Sequence, residues 1–250
     1  MARAALRPNP VEIVCLEFGD FAGITALNHR FIPGHQRLKL TIDLNLIERV
    51  PGATPALFMA GLERLRPSLK RHSCCGHGRI EETFLNGTRG PACMMREPDD
   101  GIDIAHLLEH LIIDFQHDLA NMRTCSGITC GHRTPTTRYD LFIETPDERV
   151  GRFCVALACS LLNRLLLGGD PSAFCATVLR LARRFFLSAG VSFTSSQTAA
   201  ALGGDTRAGE ALDFLVGAGF VKEIPMAINF SRVPLYGFIA TDVRSSDNRS

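Results

Sequence analysis

At 250 residues, with 27 basic against 26 acidic side chains and a net charge of +1, the chain can form one large domain or two small ones. It has no bulk attraction for nucleic acid or anionic lipid. Its 46% hydrophobic and 21% charged content excludes a disordered, collagen-like or low-complexity polypeptide.

The longest apolar stretch, Cys154 to Leu167, is broken by Ser160, Asn163 and Arg164, short of the roughly 18 apolar residues a membrane span needs. Met1 to Pro10 has no apolar segment behind Arg3 and Arg7, so no secretory signal is expected. The expectation is a cytoplasmic protein with no membrane partner, whose nine cysteines are reduced thiols.

In chain order, Val11 to Phe18 alternates, and Arg37 to Leu44 places Leu38, Leu40, Ile42 and Leu44 at the period of a half-buried strand. Thr54-Pro55 signals the start of a helix over 55–65. From His72 to Asp100 the text is rich in glycine, cysteine and charge, and reads as a long irregular loop. A regular amphipathic helix follows over 102–122, then a loop over 123–137 and a strand over 138–144. A long apolar helix over 148–167 is closed by Gly168-Gly169. This order predicts an α+β domain over 11–168.

After it, helices over 172–188, 194–202 and 206–218, then strands over 220–223 and 235–241, spell a winged helix over 171–243. Its presumed recognition helix holds Arg207 against Glu210 and Asp213. That balance is poor for phosphate binding, so nucleic acid is not the expected partner and a structural or protein-contact role is.

The chemistry sits on the helix over 102–122. His106-Leu107-Leu108-Glu109-His110 is an H-x-x-E-H sequence, the inverted order of a zinc metalloprotease motif. Residues four apart on a helix lie one above the other, so His106 and His110 present two imidazoles to one zinc ion (Zn2+). Glu109 points to the same side as the general base for a water held there. Asp114 shares the face and is a candidate to orient His110. The alternative is a surface helix that carries these residues by chance. The Leu, Ile and Phe around them argue against it, because they half-bury polar groups that then need a partner.

Four blocks carry a family resemblance: Leu69-Lys70-Arg71-His72-Ser73-Cys74, Gly101 to Gln116, Tyr139-Asp140-Leu141-Phe142-Ile143-Glu144, and Glu148-Arg149-Val150-Gly151-Arg152. In order and in most spacings they resemble the N-terminal domain of cyanophycin synthetases over roughly residues 11 to 168. The resemblance implies a domain that binds the aspartate-arginine polymer and carries a metallopeptidase site, here a zinc-dependent hydrolase acting on a peptide or isopeptide bond. It also matches Glu144 to the family's Phe-Glu position as the third metal ligand, with Glu148, Glu81 and Glu82 as alternatives. The chain departs from the family in its loop between Cys74 and His106, in Cys125 to Arg138, and in the text after Gly169, where a winged helix is read instead of synthetase domains.

Other readings are carried alongside. Cys125 and Cys130, with Cys74, Cys75, His72, His77 and His132, are candidates for a second, structural zinc, against ordinary loop thiols. Cys130 with His132 is a weak nucleophile pair. Arg133 and Arg138 are candidates to meet a substrate carboxylate, against solvated loop arginines. Gly76-x-Gly78 lacks the setting of a nucleotide loop. Two further functions stand beside hydrolysis: a catalytically silent peptide-binding module and a winged-helix ligand-sensing regulator. A homodimer is compatible with either.

Overall fold

A computed structural model describes residues 9–28, 30–45, 55–71, 73–74, 78–79, 104–122, 124–188, 192–224 and 235–238. The expectations for Glu81, Glu82, His72, Cys75, His77 and the C-terminal tail lie outside these residues. The chain divides into two compact units, Met1–Cys175 and Ala176–Ser250.

The first unit is built on four antiparallel strands: β1 (Val11–Gly19), β2 (Arg37–Leu44), β5 (Gly127–Gly131) and β6 (Arg138–Glu144), in the order β1-β2-β6-β5. Between β2 and β5 lie α1 (Pro55–Leu65), the short pair β3 (Ser73–Cys74) and β4 (Gly78–Arg79), and α2 (Ile104–Ala120). Helix α3 (Glu148–Leu166) follows β6.

Leu38, Leu40 and Ile42 of β2 and Leu141 and Ile143 of β6 are fully buried, as are Leu107, Leu108, Leu111, Ile112 and Phe115 of α2 and Phe153, Leu157 and Leu161 of α3. The two helices cover one face of the sheet, α2 against β5 and β6, α3 against β1 and β2. The other face is polar: Arg138 donates to both carboxylate oxygens of Asp43 at 3.2 and 2.6 Å, and Thr41 donates to Asp140 at 2.7 Å. That alternation of apolar and polar faces is the period-2 pattern read from β2.

Asp147 caps α3, accepting from the N–H groups of Arg149 at 2.8 Å and Val150 at 3.1 Å. The helix ends as the glycine pair predicts. Gly168 adopts φ +83, its N–H donates to Leu165 O at 2.9 Å, and the Gly169 N–H donates to Arg164 O at 2.8 Å. A residue with a Cβ would resist the left-handed turn that closes both bonds.

Two features differ from the sequence expectation. Within 123–137, read as loop, β5 forms a fourth strand. Gly127 and Gly131 bracket only Ile128, Thr129 and Cys130, too short a run to show a period, and glycines at both ends weaken a strand. Pairing with β6 supplies what the local pattern lacks. Within the stretch read as irregular, β3 and β4 pair.

The sheet has two edges, and they are treated differently. Strand β1 is interrupted by an irregularity between Ile13 and Cys15. Asn163 of α3 clips its outer rim, accepting from the Val11 N–H at 2.7 Å and donating to the Val11 carbonyl at 2.9 Å. Arg152 donates to the Leu16 carbonyl at 3.4 Å. Bulges and side-chain plugs of this kind are how a sheet blunts an edge.

In the second unit a three-stranded antiparallel sheet, in the order β7 (Ser192–Thr194), β9 (Leu235–Phe238), β8 (Val221–Ile224), accompanies α5 (Ser195–Ala201) and α6 (Ala208–Gly217). Helix α4 (Ser172–Leu187) contains the division between the units, a few residues beyond the Gly168-Gly169 break expected to separate them. Thr194 and Gln197 form a reciprocal capping box at the start of α5. Val178, Leu181, Phe185, Phe193, Leu212, Leu215 and Phe220 are among its buried apolar residues, Phe185 meeting Phe193 edge-on at 5.5 Å.

Candidate metal centre

Helix α2 carries His106, Glu109 and His110 at the spacing that stacks them on one side. The Nε2 atoms of His106 and His110 are 3.0 Å apart and the nearly parallel rings have centroids 4.8 Å apart. The nitrogens are therefore closer than the rings and converge. Zinc held at 2.0–2.1 Å from each imidazole in tetrahedral geometry requires an N–N separation of about 3.3 Å. The pair fits that demand, and the two imidazoles are the residues that would hold such an ion. His110 and Glu109 are buried, at 4% and 5% exposure, too little for either to be a surface residue placed by chance.

Glu109 is fixed from across the sheet. The Thr129 hydroxyl of β5 donates to Oε2 of Glu109 at 2.5 Å. The Glu109 carboxylate also lies over Gly127, where a Cβ would sit 2.7 Å from Oε1. Thr129 and Gly127 are the site residues that the sequence did not announce, since nothing local marks a threonine and a glycine in loop-like text as partners of a distant helix.

Gly127→Ala is expected to displace the Glu109 carboxylate, since the added Cβ would stand 2.7 Å from Oε1, and to lower the thermal unfolding midpoint by a few degrees. An unchanged midpoint would show that Glu109 tolerates the shift.

The remaining carboxylates go elsewhere. Glu144 accepts from the Ser126 N–H at 3.2 Å and the Ile32 N–H at 3.5 Å, and faces the buried Arg37 at 3.6 Å and His35 at 3.9 Å. Among the described residues no three His, Cys, Asp or Glu side chains converge closely enough to hold a metal ion, so Glu144 does not join the histidine pair here. Glu148 pairs with Arg152 one turn along α3 at 2.7 Å.

Asp114, expected to orient His110, is engaged by Arg66 on the chain after α1, a charge-assisted pair, and by the Ser68 hydroxyl at 2.9 Å. Arg138 is likewise committed to Asp43.

The thiols are held protonated. Burial, then the carboxylates of Glu144 and Glu109, pushes Cys125 up strongly. Burial, then Asp140 and Glu109, raises Cys130. His132 faces Asp140 at 3.2 Å. A thiol kept neutral is a poor nucleophile, which argues against the Cys130–His132 pair.

The blocks from β2 to α3, and the histidine pair within them, fall in a stretch that matches a known family. Residues 39–167 fit the model of the cyanophycin synthase-like N-terminal domain. Cyanophycin synthetase of Synechocystis sp. is 31% identical over 147 residues, which cover 58% of this chain and 15% of that protein. The matched region thus corresponds to a small part of that relative's length. With more than half of its residues fitting, this chain belongs to the cyanophycin synthase-like N-terminal domain family.

Proposed function

We propose that the first unit is a zinc-dependent hydrolase that cleaves a peptide or isopeptide bond, with His106 and His110 as metal ligands and Glu109 as general base. The observation that carries the reading is the 3.0 Å convergence of two buried imidazole nitrogens beside a carboxylate anchored to a neighbouring strand. Zinc held there supplies Lewis-acid chemistry, polarising a carbonyl and acidifying water.

The chain's own residues do the rest. Glu109, its Oε2 tied to Thr129, takes a proton from the attacking water and delivers it to the departing amine. Glu109, 5% exposed on α2, is sheltered from bulk solvent. The family supports an aspartate- or arginine-containing peptide as the substrate.

Glu144 is held by Arg37 and the Ser126 N–H, so the third ligand is expected to be a different carboxylate. Purified protein should hold about one zinc per chain, and His106→Ala or His110→Ala should remove it, since each deletes one of few protein ligands. Glu144→Gln should keep the metal. Full occupancy in the double histidine variant, read by elemental analysis, sinks the site, and metal loss in Glu144→Gln returns that residue to the coordination shell.

The second unit we read as a winged helix, on its order of helices and its three-stranded sheet. With Glu210 and Asp213 on α6, a protein contact fits it better than DNA.

A further inference from the structure

The register of the sheet identifies which backbone groups of β5 face outward. Glu144 N–H bonds Ser126 O, and His132 N–H bonds Arg138 O, each at 2.9 Å. Ser126, Ile128, Cys130 and His132 therefore point their peptide groups at β6, and Gly127, Thr129 and Gly131 point theirs to the free rim. The Gly127 carbonyl is taken by the Asn28 side-chain amide at 3.0 Å. Among the described residues no group pairs with the N–H and C=O of Thr129 or Gly131.

The contrast with β1 is what gives this meaning. The far edge is bent and plugged by Asn163 and Arg152, whereas the near edge is open at two residues beside the carboxylate that Thr129 holds. An unpaired donor and acceptor on alternate residues is the template onto which an extended main chain adds as a further strand.

We infer that the open rim at Thr129 and Gly131 receives the substrate's main chain as an added β-strand, which lays its peptide bonds along Glu109. The inference rests on the hydrolase reading and gives it a substrate class. Pairing at both residues requires an N–H and a C=O on every second residue, so the ligand is an extended run of consecutive α-linked residues and not an isolated side-chain amide. Backbone pairing then holds the strand, and the side chains, aspartate on one face and arginine on the other, set which of its two rims is presented.

The test uses the full chain stripped of metal with chelator, and a fluorescein-labelled octapeptide of alternating aspartate and arginine, read by fluorescence anisotropy. Two further peptides carry N-methyl groups on alternate backbone nitrogens, one in each phase. An added strand pairs through one of its two rims, so one methylated phase should bind on the order of tenfold more weakly and the other as well as the parent.

Gly131→Pro removes one outward donor without touching the ladder to β6, and Gly131→Ala adds a Cβ only 3.4 Å from the Tyr139 ring while keeping the N–H. The proline variant should bind about tenfold more weakly than the alanine variant. Equal binding of the two phases, equal binding of the two variants, or no saturable binding overturns the inference. Phase-dependent binding by a zinc-loaded chain that cuts none of the peptides upholds the edge and sinks the hydrolase reading instead.

Discussion

Glu109→Gln is expected to slow peptide cleavage by about 100-fold to 10,000-fold while leaving the protein folded and zinc-loaded. The amide keeps the volume of the side chain in its buried position and still accepts from the Thr129 hydroxyl through its carbonyl oxygen. What it loses is the ability to take a proton from water. In the proposed mechanism the same carboxylate serves both the attack and the departure of the amine, so the upper end of that range is the expected one. Binding of the uncut peptide should change little, so the loss should fall on kcat and not on KM. Loss of zinc from the variant would make Glu109 a ligand. Unchanged cleavage would place hydrolysis elsewhere and leave a binding module.

Arg66→Met should cost about 3–5 kcal/mol of folding stability, the range for removing one member of a buried ion pair. Burial alone would lower the affinity of the Arg66 guanidinium for its proton, yet Asp114 and Asp118 beside it keep it raised. Asp118 accepts from Nη1 at 3.0 Å, and the guanidinium also lies 4.9 Å from the Phe115 ring. Methionine fills similar space and leaves the Asp114 carboxylate, 4% exposed, with the Ser68 hydroxyl in place of a full charge. Thermal unfolding should fall by roughly 10 °C for a domain of this size. A shift of one or two degrees would mean that the network contributes little and that α2 is held by its apolar face.

Much of this architecture was legible in the sequence, for reasons that differ from element to element. Helix α2 announced itself because its apolar residues recur at the helical period, and the same regularity put His106 over His110. Strand β2 was legible because one of its faces is buried and the other polar. Strand β5 was not, since its three central residues flanked by glycines have too little pattern of their own and exist as a strand through β6.

The partners of the carboxylates were not legible, for another reason. Asp114 and Glu144 stand where a ligand or an orienting group would, but the identity of a carboxylate's partner is decided by which arginine the fold brings near. Arg66 and Arg37 are distant in sequence from the residues they engage. Glu109 escaped that fate because the strand opposite offers it a hydroxyl and a glycine.

The clip that Asn163 places on Val11 also bears on how this protein behaves when crowded with copies of itself. Growth of a fibre by strand addition requires that each molecule accept a neighbour at both ends of its sheet, so that every arrival creates the next landing place. Here one end is closed by the amide and the distorted β1. Copies joining through β5 can meet only face to face about a two-fold axis, which ends the process at a pair. The same pair would hide the rim at Thr129 and Gly131, so self-association by this route would be self-limiting and would exclude peptide.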